Sequence, residues 1–349
     1  MRSINTALTL KDLPPPPEGK TGWPWTEEIE PLPSQMVDGS EFPKISIVTP
    51  SYNYGRFIEE TIRSVLLQGY PNLEYIIIDG GSTDNTIEII QKYEEYLSYS
   101  VSELDEGQTD AINKGYQHCT GNLFVWLNAD DAYINSTCLK QVSELYKQGH
   151  QLIVGECLNV DSSNNPIQIS QKFNGYSIPQ KFEDYLKFWS FVPLPQPAVF
   201  IDKQLTDRAF PLDKTLRGTM DYQLFLRVLS QSPRSIWVKQ TWVKFKYHGD
   251  NKTMSSDAVT YAELYRVAIL EAQKNYNIWR QFLFQISCND FLAISPYISD
   301  TTTLTLNTIL RTVILRPTLI SWLLFWKMFI KALISHEAYQ IIKKMAKHS

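Results

Sequence analysis

The sequence predicts an α/β fold, with a mostly parallel central sheet flanked by helices and a helical C-terminal extension. Three observations predict it. Short β-branched runs alternate with helix-length stretches between residues 45 and 156. Each apolar run closes on a cluster of Gly, Ser, Asn or Asp, which suits strands ending at a ligand cleft. Beyond residue 257 the strand pattern gives way to helical stretches. A chain of 349 residues is long enough for a sizeable core plus an appended unit.

Residues 1–43 read as a proline-rich arm. Its LPPPPEGKTGWPW stretch favours extended polyproline II, and Trp23 and Trp25 would be costly in water. The arm is therefore expected to lie along the main domain. ISIVT (45–49) is the first strand, followed by the turn PSYNYG and a helix near 57–68. EYIIID (74–79) is the second strand, closed by GGSTDNT, with a helix near 85–97. A third strand is expected around 99–103, a helix over QTDAINKGYQHC (108–119), and a fourth strand in NLFVWLN (122–128). A helix over 137–148 and the run QLIVGE (151–156) continue the alternation, so parallel strands with right-handed crossovers are expected. Residues 160–255 are less regular, with FVPLPQPAVFI, a helix in TMDYQLFLRVL and a strand in WVKQTWVKFKYH.

Thirty-three basic residues against 37 acidic ones give a net charge of −4, which argues against a dedicated nucleic-acid binder. Cys119, Cys138, Cys157 and Cys288 show neither CxxC pairing nor metal-ligand spacing and read as reduced thiols of a cytoplasmic protein. The first residues lack the apolar core of a signal peptide, and no stretch reaches 18 uninterrupted apolar residues. PTLISWLLFWKMFIKALI (317–334) carries Lys327 and Lys331 on one helical face and a broad apolar face opposite. With the basic tail it resembles an interfacial membrane helix; docking on the catalytic domain or on another subunit is the alternative.

Neither GxGxxG nor GxxxxGK[ST] follows the first strand, which disfavours dinucleotide-binding and P-loop enzymes. The first turn offers Pro50, Ser51, Tyr52 and Asn53 instead. Tyr52 could stack on a nucleobase or simply belong to a turn. Asp79 ends the second strand, where it either staples the loop or meets a ligand, and Gly81 lets backbone approach closely. Asp110 and Lys114 fit a solvated i,i+4 pair or a rim that holds a nucleotide or its sugar. Asn128-Ala129-Asp130-Asp131 is sharper. Adjacent carboxylates at the end of a buried strand repel, and a hard cation such as Mg²⁺ or Mn²⁺ would offset that cost. Asp221 starts an amphipathic helix, where capping alone could explain it. His248 follows a strand and could complete a metal shell.

Together the motifs resemble family 2 glycosyltransferases, whose GT-A fold is Rossmann-like. The resemblance rests on ISIVTPSYNYGRFIEETIRSVLLQGYPNLEYIIIDGGSTDNT, SELDEGQTDAINKG, FVWLNADD, PQPAVFI, LRGTMDYQLFLRV and the His248 region, in that order over roughly residues 45–250. It is nearest the branch that builds bacterial surface polysaccharides. The resemblance implies that Tyr52 stacks on the nucleobase and that Asp79 lies in the nucleoside pocket, with Pro50, Asn53, Gly81, Asp110 and Lys114 in the nucleotide-sugar site. It implies that Asp130 touches ribose and cation, that Asp131 and His248 are further metal ligands, and that Asp221 is the general base of an inverting displacement. The implied cofactor is Mg²⁺ or Mn²⁺. The implied partners are a nucleotide-sugar donor and a glycan or lipid-linked acceptor at the inner membrane face. The domains then divide as arm (1–43), catalytic domain (44–256, nucleotide-binding half 44–156 and acceptor half 157–256) and C-terminal extension (257–349).

Two positions depart from the resemblance. Gly80 stands where many relatives carry a second acid, which leaves the nucleobase open. Asn128 stands where many carry Asp, so the charge falls to Asp130 and Asp131. A nucleotidyltransferase is the alternative enzyme, but the GxGTR-like loop expected of it is missing after the first strand. A non-catalytic nucleotide-sugar binder is the other alternative, and the joint presence of Asp130, Asp131, Asp221 and His248 argues against it.

Overall fold

The β-branched residues of ISIVTPS and LEYIIID are stiff at χ1 and pack well on a pleated surface. Both stretches form fully buried strands, β1 (Ile45–Ser51) and β2 (Leu73–Asp79), in the computed structural model. The structure describes residues 7–167, 181–188, 193–249 and 258–294, together with 313, 316 and 318. The remaining strands are β3 (Tyr99–Ser102), β4 (Leu123–Trp126), β5 (Ala132–Tyr133), β6 (Leu152–Asp161), β7 (Val199–Asp202) and β8 (Ser235–Tyr247). They make one eight-stranded sheet in the order β3-β2-β1-β4-β7-β6-β8-β5.

The first half of that order is parallel, as the alternation predicts. β1 lies between β2 and β4, and β3 closes the edge. The crossovers carry α1 (Ile58–Leu66), α2 (Thr86–Lys92) and α3 (Gln108–Gln117). Pro50 sits inside central β1 without breaking it. The pairing of β1 with β4 stops at Val48–Trp126, so the missing N–H falls where no β4 partner waits.

The second half departs from the expectation. QLIVGE does not extend the parallel series: β6 pairs antiparallel with β7 and parallel with the long β8. A continuous apolar run signals burial on both faces but carries no information on direction. The direction comes from β7 and β8, which begin 47 and 83 residues after β6 begins. β6 also continues to Asp161, because its outer half pairs with Val243–Tyr247 across a register shift at Gly155–Glu156.

α4 (Cys138–Lys147), α5 (Phe182–Leu186), α6 (Lys203–Ala209) and α7 (Met220–Leu229) complete the layers. α3 packs very close to the sheet. A Cβ at Gly115 would come within 2.4 Å of Val48 Cγ1, so only glycine fits there without a shift. The proline-rich arm buries Leu13, Trp25 and Phe42. It also covers Arg63, which is fully buried and donates to the carbonyls of Pro14, Pro24 and Trp25 and to the Tyr93 hydroxyl.

Two compact units result, Met1–Ala268 and Ile269–Ser349. Helices α8 (Ala258–Asn275) and α9 (Ile278–Ile294) occupy the region expected to be helical. The amphipathic stretch 317–334 lies outside the described residues except for Thr318. No helix among the described residues is long and apolar enough to cross a membrane. The four cysteines are free thiols.

Candidate active site

A cleft of about 740 Å³ opens at the carboxyl ends of β1, β2 and β4. Its walls are Pro50, Ser51, Tyr52, Asn53, Tyr54 and Arg56 after β1, and Gly80 after β2. Leu104, Asp105, Gly107, Gln108 and Ala111 come from the β3–α3 turn and α3. Asn128, Ala129 and Asp130 follow β4, and Phe245 comes from β8. Strands that end together while their loops diverge leave such a crevice by geometry.

Tyr52 is 56% exposed and lines this cleft. Asn53 lines it too, in the left-handed region at φ 57°, with its side chain committed elsewhere. Its Oδ1 accepts the Thr83 N–H at 2.8 Å, and its own N–H donates to Ser82 Oγ at 2.7 Å. Asp79 has no exposure and no place in the lining. It accepts the N–H groups of Gly81 and Ser82 and the hydroxyls of Ser82 and Ser102. Of its two readings, stapling the loop is the one its oxygens are occupied with. Gly81 follows at φ 80°, a conformation that favours glycine.

Asp110 and Lys114 lie off the cleft, in a charged cluster. Asp110 is met by Lys214 at 2.7 Å and by Lys114 at 3.6 Å, while Lys114 also meets Glu103 at 2.8 Å. The i,i+4 pair is present.

The NADD turn sends its two carboxylates to different surroundings. Asp130 faces the cleft, and its Oδ2 lies 2.9 Å from His248 Nε2. β8 brings His248 there across 118 residues, and the ring packs against Phe57 and Tyr54. Asp131 turns inward and is 1% exposed. It accepts Asn128 Nδ2 at 3.1 Å and the Lys246 N–H at 3.3 Å. Burial, and then the neighbouring charge of Asp130, push its carboxyl well above the usual carboxylate range. Asn128 is therefore a donor to a buried acid, while its Oδ1 accepts Gln108 Nε2 at 2.8 Å. Among the described residues no group of three or more His, Cys, Asp and Glu side chains could by itself hold a metal. A cation would have Asp130 and His248, a carboxylate and an imidazole, and would need substrate oxygens to fill its shell. That donor set suits Mn²⁺ or Mg²⁺ shared with a diphosphate.

Asp221, the second residue of α7, is not part of the lining. Its Oδ1 accepts the N–H of Tyr222 at 2.7 Å. Desolvation by the surrounding protein raises its carboxyl to about 6. A carboxylate tuned toward neutrality suits proton transfer.

Sequence reasoning missed Arg56, Asp105 and Gln108. Arg56 stacks over Phe57 and reaches His248 Nδ1 at 3.4 Å, which places a cation beside the Asp130–His248 pair. Asp105 lies within SELDEG, and only its loop position distinguishes it from the acids on either side.

Residues 46–210 match the model of Glycosyl transferase family 2. An uncharacterized glycosyltransferase of Nostoc sp. is 23% identical over 224 residues, which cover 62% of this chain and 69% of that protein. A Bacillus subtilis protein named as a teichuronic acid biosynthesis glycosyltransferase, TuaG, is 38% identical over 103 residues. Those cover 29% of this chain and 41% of that one. Among solved structures, S. aureus TarS 1–349 in complex with UDP-GlcNAc aligns with a TM-score of 0.59 at 15% identity, covering 87% of this chain and 92% of that one. A mannosyltransferase of Pyrobaculum calidifontis in complex with GDP-Man and Mn²⁺ aligns at 0.53 and 15% identity, covering 87% and 84%. The fold is thus the GT-A fold of glycosyltransferases. With the strand-end cleft, the motif order and the matched family model in agreement, the chain is a glycosyltransferase whose residues 46–210 match family 2.

Proposed function

We propose that the chain is an inverting, divalent-metal-dependent glycosyltransferase. It would move a sugar from a nucleotide-sugar donor to a hydroxyl of a glycan or lipid-linked acceptor during synthesis of a surface polysaccharide. The observation that carries the reading is the meeting of Asp130 and His248 at 2.9 Å on a cleft that also presents Tyr52 and Arg56. The surface-polysaccharide context comes from the teichuronic acid relative. The donor class is supported by the UDP-GlcNAc and GDP-Man bound in the two structural neighbours.

In this reading Tyr52 stacks on the nucleobase, and Arg56 faces the anionic diphosphate. Asp130 and His248 would hold the cation, Mg²⁺ or Mn²⁺, whose charge would offset that developing on the diphosphate leaving group. Asp131 stays in the core and aims the turn. Asp221 takes the proton from the acceptor hydroxyl, help worth roughly 10²–10⁴ in rate. Residues 44–156 form the donor half and 157–256 the acceptor half. The basic amphipathic tail, with about +6 over residues 311–349, would hold the enzyme against the cytoplasmic face of the membrane where lipid-linked acceptors lie.

The test is transfer from a panel of nucleotide sugars with Mn²⁺, with the anomer of the product read by NMR. Asp221→Asn is expected to bind donor normally yet lose transfer by about 10²–10⁴. Full transfer by that variant would refute the base assignment, and turnover unaffected by EDTA would refute the metal.

A further inference from the structure

Gly80 and Asp105 both line the cleft, and the Asp105 carboxylate occupies the space beside Gly80. A Cβ at Gly80 would lie 2.7 Å from Asp105 Oδ2. The Gly80 N–H donates to the carbonyl of Ser51 at 2.9 Å, so this point is one residue from Tyr52 along the neighbouring strand. Asp105 Oδ1 is engaged by the Gly107 N–H at 2.8 Å, the ordinary turn interaction before α3. Oδ2 has no partner among the described residues. Ser51 Oγ, buried at 5% exposure and also lining the cleft, has none either.

We infer that Asp105 is the residue that reads the nucleobase, and that it selects a base with a single imide N–H, uracil or thymine. This deepens the donor reading above and rests on it. The complementarity is elementary. The edge of uracil or thymine presents a carbonyl, an N–H and a carbonyl. One free carboxylate oxygen accepts the N–H, and the Ser51 hydroxyl donates to an adjacent carbonyl. Guanine offers two adjacent donors and calls for a carboxylate with both oxygens available, but Oδ1 is held by Gly107. Cytosine has an acceptor at the ring nitrogen, which would face the carboxylate and repel it. Gly80, which has no side chain, supplies the room for this carboxylate.

Calorimetric titration of the full chain with UDP, TDP, CDP and GDP, with Mn²⁺ in every arm, tests this. The wild type is expected to bind UDP or TDP at least tenfold more tightly than CDP or GDP, and the UDP/TDP pair separates ribose from methyl-bearing donors. Asp105→Asn keeps an acceptor for Gly107 but turns the free oxygen into a donor. It is expected to weaken UDP or TDP about tenfold to a hundredfold and to leave CDP unchanged or tighter. Gly80→Asp placed on Asp105→Ala is expected to regain the preference. A wild type that prefers GDP or CDP overturns the inference, as do equal losses for all four nucleotides in Asp105→Asn or a double variant no better than Asp105→Ala. If the wild type binds none of the four, the donor cleft itself is misread and the inference falls with it.

Discussion

Asn128 shows how one uncharged residue can serve a site built from acids. Its amide donates to buried Asp131 and accepts from Gln108, joining β4, the core and α3. An aspartate there would set a second carboxylate 3.1 Å from one already buried and remove its donor. Asn128→Asp is accordingly expected to destabilise the fold by about 2 kcal/mol or more, measured by urea unfolding. Asp221 makes the opposite kind of statement. Its carboxyl is raised to about 6, so the folded state favours the protonated form. The associated stability is present below the ordinary carboxylate range and is lost as pH rises through about 6. The base role proposed for Asp221 would need the charged form, so in that role kcat/KM is expected to fall as pH drops below about 6. Asp221→Asn should be more stable than the wild type at pH 7, by up to about 3 kcal/mol. A transfer rate flat from pH 5 to 8 would contradict the role.

At the scale of elements, the parallel half was legible because its signals are local. β-Branched runs, amphipathic helices and turn clusters each declare themselves within about ten residues. The directions of β6 and β7 were not, since a strand's partner is chosen by packing across long loops. The contact of α3 with β1 was equally hidden. Gly115 reads as a weak helix residue, yet it is where helix backbone meets Val48. Gly115→Ala should improve helix propensity by about 1 kcal/mol and still lower stability, by about 1–3 kcal/mol, because α3 must lift off the sheet. Thermal melting gives the sign. Since α3 carries Gln108 and follows Gly107, both on the cleft, nucleotide affinity should fall with it.

Over the whole molecule, two buried cationic clusters tie distant segments together. Glu60 holds Lys244 and Lys246, each at 2.8 Å, and joins α1 to β8. Burial alone would raise the Glu60 carboxyl, but the two ammonium groups outweigh it and bring it to about 2. Arg63, one turn further along α1, binds the arm through three backbone carbonyls. The arm is part of the folded unit for this reason: peeling it away would leave a guanidinium facing an apolar surface. Arg63→Ala is expected to cost about 3 kcal/mol or more and to open Lys11 and Lys20 to trypsin. An arm equally protected in the variant would count against that anchoring.

The sequence by itself determined the α/β class, the strand ends that build the cleft, and the residue types that mark the family. These are properties of short windows, where side-chain period and turn chemistry act over a few bonds. Only the tertiary structure decided which acids share a site. Asp130 and Asp131 are adjacent in the chain, yet one meets His248 in the cleft and the other is buried against Lys246. Asp105 lies 25 residues from Gly80 and fills the space that glycine leaves. The turn between β4 and β5 sends consecutive side chains to different surroundings, and long crossovers return the chain to the same edge. Sequence neighbours are thereby separated, and distant carboxylates converge.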